Sequence, residues 1–244
     1  MSDRELAELL VRLAGEIALD LRGGAVESKG GATDVVTAAD RQAEAAMVVL
    51  LRKERPDDAV LGEEGADVAG DRRRWLLDPV DGTLNYARGL PAWCAAACLM
   101  EGDWPLASAV FDPVSGELFS AARKQGATAD GVALGGVGAT ALEDAVVATF
   151  VDERRRDGAI ARGTERLLRR VGALRAVGCG TLELAWVAAG RLDGWVQADV
   201  EPWDWHPGAL LVAESGGAVL VSGRWRVAAR GERLARELLG CVEG

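Results

Sequence analysis

The sequence predicts an α+β fold that passes into an α/β fold, with an antiparallel sheet in the first half and a mixed sheet in the second. Between residues 92 and 122, apolar stretches are separated by turn signals such as Gly102-Asp103, a pattern typical of β-hairpins. After residue 140, short apolar strands alternate with helical stretches. We therefore expect two lobes, residues 1–140 and 141–244, with a site between them.

Capping signals define the helices of the first half. Ser2-Asp3-Arg4-Glu5 is a capping-box pattern and predicts a helix that ends before Gly23-Gly24. Thr37-Ala38-Ala39-Asp40 is a second such pattern and predicts a helix to about Arg55. Its Asp40 therefore has a plain structural role available, that of helix capping.

Apolar runs indicate the strands and the remaining helices. A strand at residues 59–62 precedes Glu63-Glu64, and a strand from Trp75 should stop at Pro79, because proline donates no hydrogen bond to a sheet. In the second half, strands are predicted at 146–150, 174–177, 194–198 and 219–221, and helices at 159–171, 182–189, 209–214 and 232–239.

Composition limits the function classes. The chain has 244 residues and a formal net charge of −10, which argues against non-specific binding to nucleic acid or to an anionic membrane. Its four cysteines form no disulfide framework, and the charged N-terminus, with Asp3 and Arg4, does not resemble a signal peptide. No apolar run reaches the roughly 20 residues of a membrane helix. A cytoplasmic location is expected.

The stretch Asp78-Pro79-Val80-Asp81-Gly82-Thr83 concentrates the chemistry. Two carboxylates that share one turn repel each other unless a cation neutralises them, and Mg²⁺ prefers such oxygen ligands. Gly82 allows close backbone approach, and the N–H groups after it suit an anion. Asp-Pro and Asp-Gly are also ordinary turn dipeptides, so the turn alone leaves a metal site and a plain turn open.

Four ordered motifs resemble the inositol monophosphatase family, part of a superfamily of Mg²⁺-dependent, lithium-sensitive sugar phosphatases. The stretch from Asp78 to Tyr86 matches its signature, and the other matches are Asp34–Asp40, Gly62-Glu63-Glu64 and Trp203-Asp204 with the following Gly208 and Glu214–Gly217. The resemblance implies a layered αβαβα sandwich and hydrolysis of a phosphomonoester with two or three Mg²⁺ ions.

The resemblance also implies the roles of individual residues. It implies metal ligation by Glu63, Asp78, the Val80 carbonyl, Asp81 and Asp204, with Thr83, Glu63 and Asp78 catalytic. It implies substrate binding by Gly82, Thr83, Gly178, Cys179, Gly180 and Gln197, and places Lys29 and Asp40 beside the site.

Several positions keep a second interpretation. Asp204 precedes a predicted helix and is also expected as its N-cap. Gln197 stands where inositol phosphatases that resemble this chain carry a glutamate, which puts inositol specificity in question. His206 and Pro207 replace small residues, and His206 is more simply a packing residue than a ligand. Cys179 has no base or positive partner in the sequence that would make it a nucleophile.

The function expected is therefore Mg²⁺-dependent hydrolysis of a small phosphorylated alcohol or sugar, with inositol monophosphate first. Histidinol phosphate, fructose 1,6-bisphosphate and 3′-phosphoadenosine 5′-phosphate are alternatives. A haloacid-dehalogenase-type phosphatase fits less well, because its Asp-x-Asp spacing differs from the Asp78–Asp81 spacing. A non-catalytic regulatory or binding protein on the same scaffold is the alternative from another class. The resemblance implies a homodimer, and we expect neither nucleic-acid nor membrane partners.

Overall fold

The computed structural model describes residues 1–24, 26–28, 35–136, 138–152 and 158–244. Within these ranges the chain forms seven α-helices and three sheets, of eight, five and two strands. The two-stranded sheet joins β1 (Val26–Ser28) to β2 (Val35–Thr37) in antiparallel register. None of the helices described has both the length and the apolar character needed to cross a membrane.

The two predicted capping boxes are present. Helix α1 (Asp3–Asp20) begins at the Ser2 cap, and α2 (Ala38–Glu54) begins at the Thr37 cap. In each helix the side chain of the third residue accepts a hydrogen bond from the backbone N–H of the cap residue. This N–H has no partner within the helix itself. Their apolar sides pack on one face of the large sheet, with Leu10 and Met47 against Trp75.

The eight-stranded sheet is antiparallel except where β3 pairs with β5 in parallel. Its spatial order is β10-β9-β8-β7-β6-β5-β3-β4. The strands are β3 (Ala59–Gly62), β4 (Asp67–Val68), β5 (Arg73–Asp81), β6 (Cys94–Glu101), β7 (Trp104–Asp112), β8 (Glu117–Ala122), β9 (Ala127–Ala129) and β10 (Val132–Ala133). The predicted antiparallel sheet is confirmed.

The prediction that the central strand stops at Pro79 is wrong. Strand β5 continues to Asp81, and its pairing with β6 shifts register between Asp78, opposite Ala96, and Asp81, opposite Cys94. A β-bulge accounts for the difference, because the missing N–H of Pro79 costs nothing where the ladder is already interrupted.

The second sheet is mixed, as predicted. In the order β12-β11-β13-β15-β14, the first three strands run parallel and the last two are antiparallel to their neighbours. The elements are α3 (Thr83–Ala87), a 3₁₀ turn (Leu142–Asp144), β11 (Val146–Thr149), α4 (Gly158–Leu168), β12 (Ala173–Arg175), α5 (Gly180–Ala188), β13 (Gly194–Ala198), α6 (Pro202–Glu214), β14 (Ala218–Ser222), β15 (Trp225–Ala229) and α7 (Glu232–Glu243). Strand β15 was not predicted.

Helices α5 and α6 lie between the two sheets and produce five layers. Leu182 and Leu211 from these helices share one buried cluster with Phe119 of the large sheet and Trp195 of the small one. Helices α4 and α7 cover the other face of the small sheet. The order α1/α2, sheet, α5/α6, sheet, α4/α7 confirms the αβαβα sandwich. The boundary at residue 140 stays a prediction.

Candidate metal centre

Two acidic residues leave parallel strands at the same edge of the large sheet. Gly62 of β3 is paired with Leu77 of β5, so Glu63 and Asp78 are the next residues of adjacent strands. The Glu63 N–H donates to the Leu77 carbonyl at 3.1 Å, which fixes the turn. The parallel pairing explains why two motifs that are separate in the sequence meet here.

Asp204 joins these strands from the middle helical layer. Single carboxylate oxygens of Asp78, Asp81 and Asp204 all lie within 4.8 Å of one another. Asp204 is the third residue of α6, so its predicted role as N-cap is wrong. Glu201 is the cap residue, because Pro202 suits the first helical position and starts the helix three residues earlier than a cap at Asp204 would.

The carboxylates raise one another's pKa values. Burial raises the pKa of Asp78 well above its ordinary value, and the charges of Glu63, Asp81 and Asp204 raise it further. Burial and the charges of Asp81 and Glu63 do the same for the pKa of Asp204. Glu63 therefore acts on the cluster electrostatically. Without a cation, at least part of this cluster must bind protons.

The cluster fits a hard cation such as Mg²⁺. Asp78 Oδ1 accepts a hydrogen bond from the Val80 N–H at 3.0 Å. Asp78 Oδ2 is buried, and no donor among the described residues satisfies it. This carboxylate oxygen receives no hydrogen bond and lies close to other carboxylates. Such a group of oxygen ligands is what Mg²⁺ prefers.

The turn after β5 depends on Gly82 and fixes the Thr83 hydroxyl. Gly82 has a φ of +87°, and a Cβ there would lie 3.0 Å from the Ala92 carbonyl oxygen. A side chain is therefore excluded on conformation and on space. The Thr83 hydroxyl donates to the Val80 carbonyl at 3.0 Å.

The start of α5 holds Asp81. The Thr181 N–H donates to Asp81 Oδ2 at 2.7 Å, and the Cys179 thiol lies 3.3 Å from the same oxygen. Burial raises the pKa of Asp81, although these donors and the Gly82 N–H lower it. The Thr181 hydroxyl also donates to the Asp204 carbonyl at 3.0 Å, so one turn contacts both Asp81 and Asp204.

The predicted substrate loop lies directly against this turn. Gly178 has a φ of +86° and faces the Asn85 amide, and a Cβ at Gly180 would lie 3.3 Å from Gln197 Oε1. Gln197 is buried in β13. Cys179 is also buried, which raises its pKa, so the structure gives it no nucleophilic character.

Three residues that support the site were missed. Glu44 accepts the Glu64 N–H at 2.8 Å and so holds the Glu63 turn. Asn85 donates to the carbonyls of Ala92 and Val177 at 2.7 and 2.8 Å. Glu183 accepts the Val177 N–H at 2.8 Å. An acid between leucines, as in Leu182-Glu183-Leu184, was the available signal for a buried anchoring carboxylate.

The remaining candidates are not members of the carboxylate cluster or lie outside the described residues. Asp40 accepts the Thr37 N–H at 3.0 Å and has the capping role. Lys29 lies outside the described residues. His206 is partly buried, and burial lowers its pKa. It lines a groove with Leu61 and Arg72 and is not among the clustered ligands.

Comparisons with known proteins identify the family of this chain. The model of the inositol monophosphatase family matches residues 3–236. A protein named Nus factor SuhB from Xylella fastidiosa is 36% identical over 76% of this chain and 68% of its own length. An inositol-1-monophosphatase from Rhizobium meliloti is 36% identical over 77% of this chain and 72% of its own.

Solved structures show the same fold over nearly the whole chain. The extragenic suppressor protein suhB of Bartonella henselae superimposes with a TM-score of 0.91 at 30% identity, covering 98% of this chain and 97% of its own. The Thermotoga maritima IMPase superimposes with a TM-score of 0.87 at 28% identity, covering 100% of this chain and 99% of its own. Family model, relatives and fold agree, and the chain belongs to the inositol monophosphatase family.

Proposed function

We propose that the protein is a Mg²⁺-dependent phosphomonoesterase for a small phosphorylated alcohol or sugar, with inositol monophosphate as the first substrate to test. The observation that carries this proposal is the close group of buried Asp78 with the partly buried Asp81 and Asp204, drawn from both halves of the chain. Carboxylates at this spacing are costly unless cations occupy them. The relative named inositol-1-monophosphatase supports the choice of substrate.

Two or three Mg²⁺ ions would be held by residues from both lobes. Glu63, Asp78 and the Val80 carbonyl form one proposed ligand set, and Asp78, Asp81 and Asp204 form another. Bound Mg²⁺ would supply charge stabilisation for the phosphate and would lower the pKa of a coordinated water.

Thr83 has the geometry to orient a water. Its hydroxyl proton is directed to the Val80 carbonyl, so the lone pairs of Oγ1 remain available to accept from a water. Glu63 would assist from the adjacent strand end. The Gly82 N–H contributes to stabilising ionised Asp81, which leaves the Thr83 N–H as the better phosphate donor of the two predicted.

The alcohol side of the substrate would meet the loop of Gly178, Cys179 and Gly180. Gln197 lies beside Gly180 and would hydrogen-bond a hydroxyl as a neutral group. Lys29 and Asp40 are proposed to lie near the site without contacting substrate. A homodimer, a cytoplasmic location and the absence of nucleic-acid and membrane partners remain part of the proposal, as does the division at residue 140.

A non-catalytic role is the second candidate, and the observation that favours it is the name Nus factor SuhB carried by similar proteins. The alternatives are separated by measuring phosphate release, with and without Mg²⁺, from inositol 1-phosphate, histidinol phosphate, fructose 1,6-bisphosphate, 3′-phosphoadenosine 5′-phosphate and glycerol phosphate. We expect Mg²⁺-dependent release that Asp78→Asn abolishes in a folded protein. If the wild type binds Mg²⁺ but releases no phosphate from any of these substrates, the non-catalytic role would be favoured instead.

A further inference from the structure

A second group of ligand atoms shares Asp81 with the carboxylate cluster. Cys94 and Cys179 contribute thiols that, together with an Asp81 carboxylate oxygen, all lie within 4.8 Å of one another. Cys94 lies opposite Asp81 in the pairing of β6 with β5, and Cys179 is the N-cap residue that precedes α5. Both thiols are fully buried. The fold therefore places two sulfurs behind one ligand of the proposed magnesium site.

Two of the three separations within this group are about 0.2 Å shorter than those of a tetrahedral metal site. The sulfurs of Cys94 and Cys179 lie 3.6 Å apart, and the Cys179 sulfur lies 3.3 Å from Asp81 Oδ2. Tetrahedral coordination with metal–sulfur bonds of about 2.3 Å and metal–oxygen bonds of about 2.0 Å requires roughly 3.8 Å between sulfurs and roughly 3.5 Å from sulfur to oxygen. Movements of a few tenths of an ångström would suffice.

We propose that Cys94, Cys179 and Asp81 form a binding site for a thiophilic divalent cation such as Zn²⁺ or Cd²⁺, separate from the oxygen site for Mg²⁺. Thiolate ligands select soft and borderline ions, whereas carboxylate ligands select Mg²⁺. Binding replaces two S–H bonds by two metal–sulfur bonds and releases two protons to the solvent. Of the three residues, Asp81 is partly exposed, whereas both cysteines are buried.

Occupancy of the thiol site has a consequence for the neighbouring cluster. The Cys179 thiol donates a hydrogen bond to the Asp81 carboxylate. A cation bound by this sulfur and by a carboxylate oxygen would replace that hydrogen bond and compete with Mg²⁺ for Asp81. We therefore expect thiophilic ions to inhibit the Mg²⁺-dependent reaction. This consequence depends on the proposed function, whereas the binding itself does not.

The test is a titration of the whole protein with Cd²⁺ in excess Mg²⁺, followed by the ultraviolet thiolate-to-cadmium charge-transfer band. We expect one equivalent to bind the wild type and the control Cys241→Ser, whose cysteine is buried in a different core cluster. Cys94→Ser and Cys179→Ser should each bind Cd²⁺ at least about 100-fold more weakly than the wild type. Mutating residues that only hydrogen-bond to metal ligands already lowers metal affinity by up to that factor.

X-ray absorption at the cadmium edge on the wild type keeps the test independent of how the variants fold, and it should count two sulfur ligands. Equal Cd²⁺ affinity in Cys94→Ser and wild type, or a cadmium ion surrounded by oxygen alone, would overturn the proposal. Cadmium bound by two sulfurs in a protein that releases no phosphate would leave this site standing and refute the proposed hydrolysis instead.

Discussion

Glu183 should make the folded protein less stable as the pH rises, and Glu183→Gln should remove that dependence. The carboxyl is fully buried on α5, where it accepts the Val177 N–H at 2.8 Å. Burial raises the pKa of Glu183 from 4.5 to about 8, although the hydrogen bond from the Val177 N–H acts in the opposite direction and lowers this pKa. Glutamine keeps the acceptor for Val177 without a titratable proton.

The sign follows from the protons bound in each state. Between pH 4.5 and 8 the folded protein keeps the Glu183 proton that the unfolded chain releases, so the stability falls as the pH rises. The pKa difference corresponds to about 1.4 kcal/mol per pH unit and to roughly 5 kcal/mol above pH 8. Below pH 4.5, the titration of Glu183 should contribute little difference in free energy of unfolding between the wild type and Glu183→Gln.

The assay is urea denaturation of metal-free protein at several pH values from 5 to 8.5. The wild type should lose free energy of unfolding relative to Glu183→Gln across this interval, while a control variant of the exposed Glu16, Glu16→Gln, should follow the wild type. Because the other buried carboxylates are common to both proteins, the difference reports Glu183 together with its electrostatic coupling to Asp81.

Parallel stability profiles for wild type and Glu183→Gln would refute the reasoning, since they would mean that this carboxyl titrates alike in the folded and unfolded chain. Within that outcome, a constant loss of stability in Glu183→Gln would show in addition that the amide weakens the Val177 contact.

Other substitutions test the surroundings of the site. Gly62→Ala would place its Cβ 2.1 Å from a Glu44 oxygen and should cost about 1–3 kcal/mol in urea denaturation, whereas Gly135→Ala, with open space around it, should be neutral. Asn85→Leu leaves two carbonyls without their donor and should cost about 2 kcal/mol or more by the same assay. Gln197→Glu supplies a charged acceptor and should raise kcat/KM for inositol 1-phosphate about tenfold in steady-state kinetics; an unchanged value would remove Gln197 from substrate recognition.

Local signals made much of the fold predictable. The capping boxes at Ser2 and Thr37 each determined the start of a helix, because side chain and backbone satisfy each other within four residues. The bulge that carries β5 past Pro79 was not predictable, since it depends on how the strand pairs with β6. Strand β15 was missed although a local signal was present, because Ser222 pairs with Trp225 across the two-residue turn Gly223-Arg224.

The site divides in the same way. The motif resemblance identified Asp78, Asp81 and Asp204, and the structure brings their carboxylates together. Glu44 and Glu183 were missed because each holds a backbone N–H that becomes its neighbour only after folding. The closeness of Cys94 to Cys179 likewise depends on tertiary packing between β6 and the start of α5.

The central claim is that carboxylates from both halves of the chain share bound Mg²⁺. Isothermal titration calorimetry of Mg²⁺ binding to wild type, Asp204→Asn and the exposed control Asp20→Asn tests it most directly. We predict that Asp204→Asn binds at least about 100-fold more weakly than the other two. Equal Mg²⁺ affinity and stoichiometry in all three proteins would contradict the account.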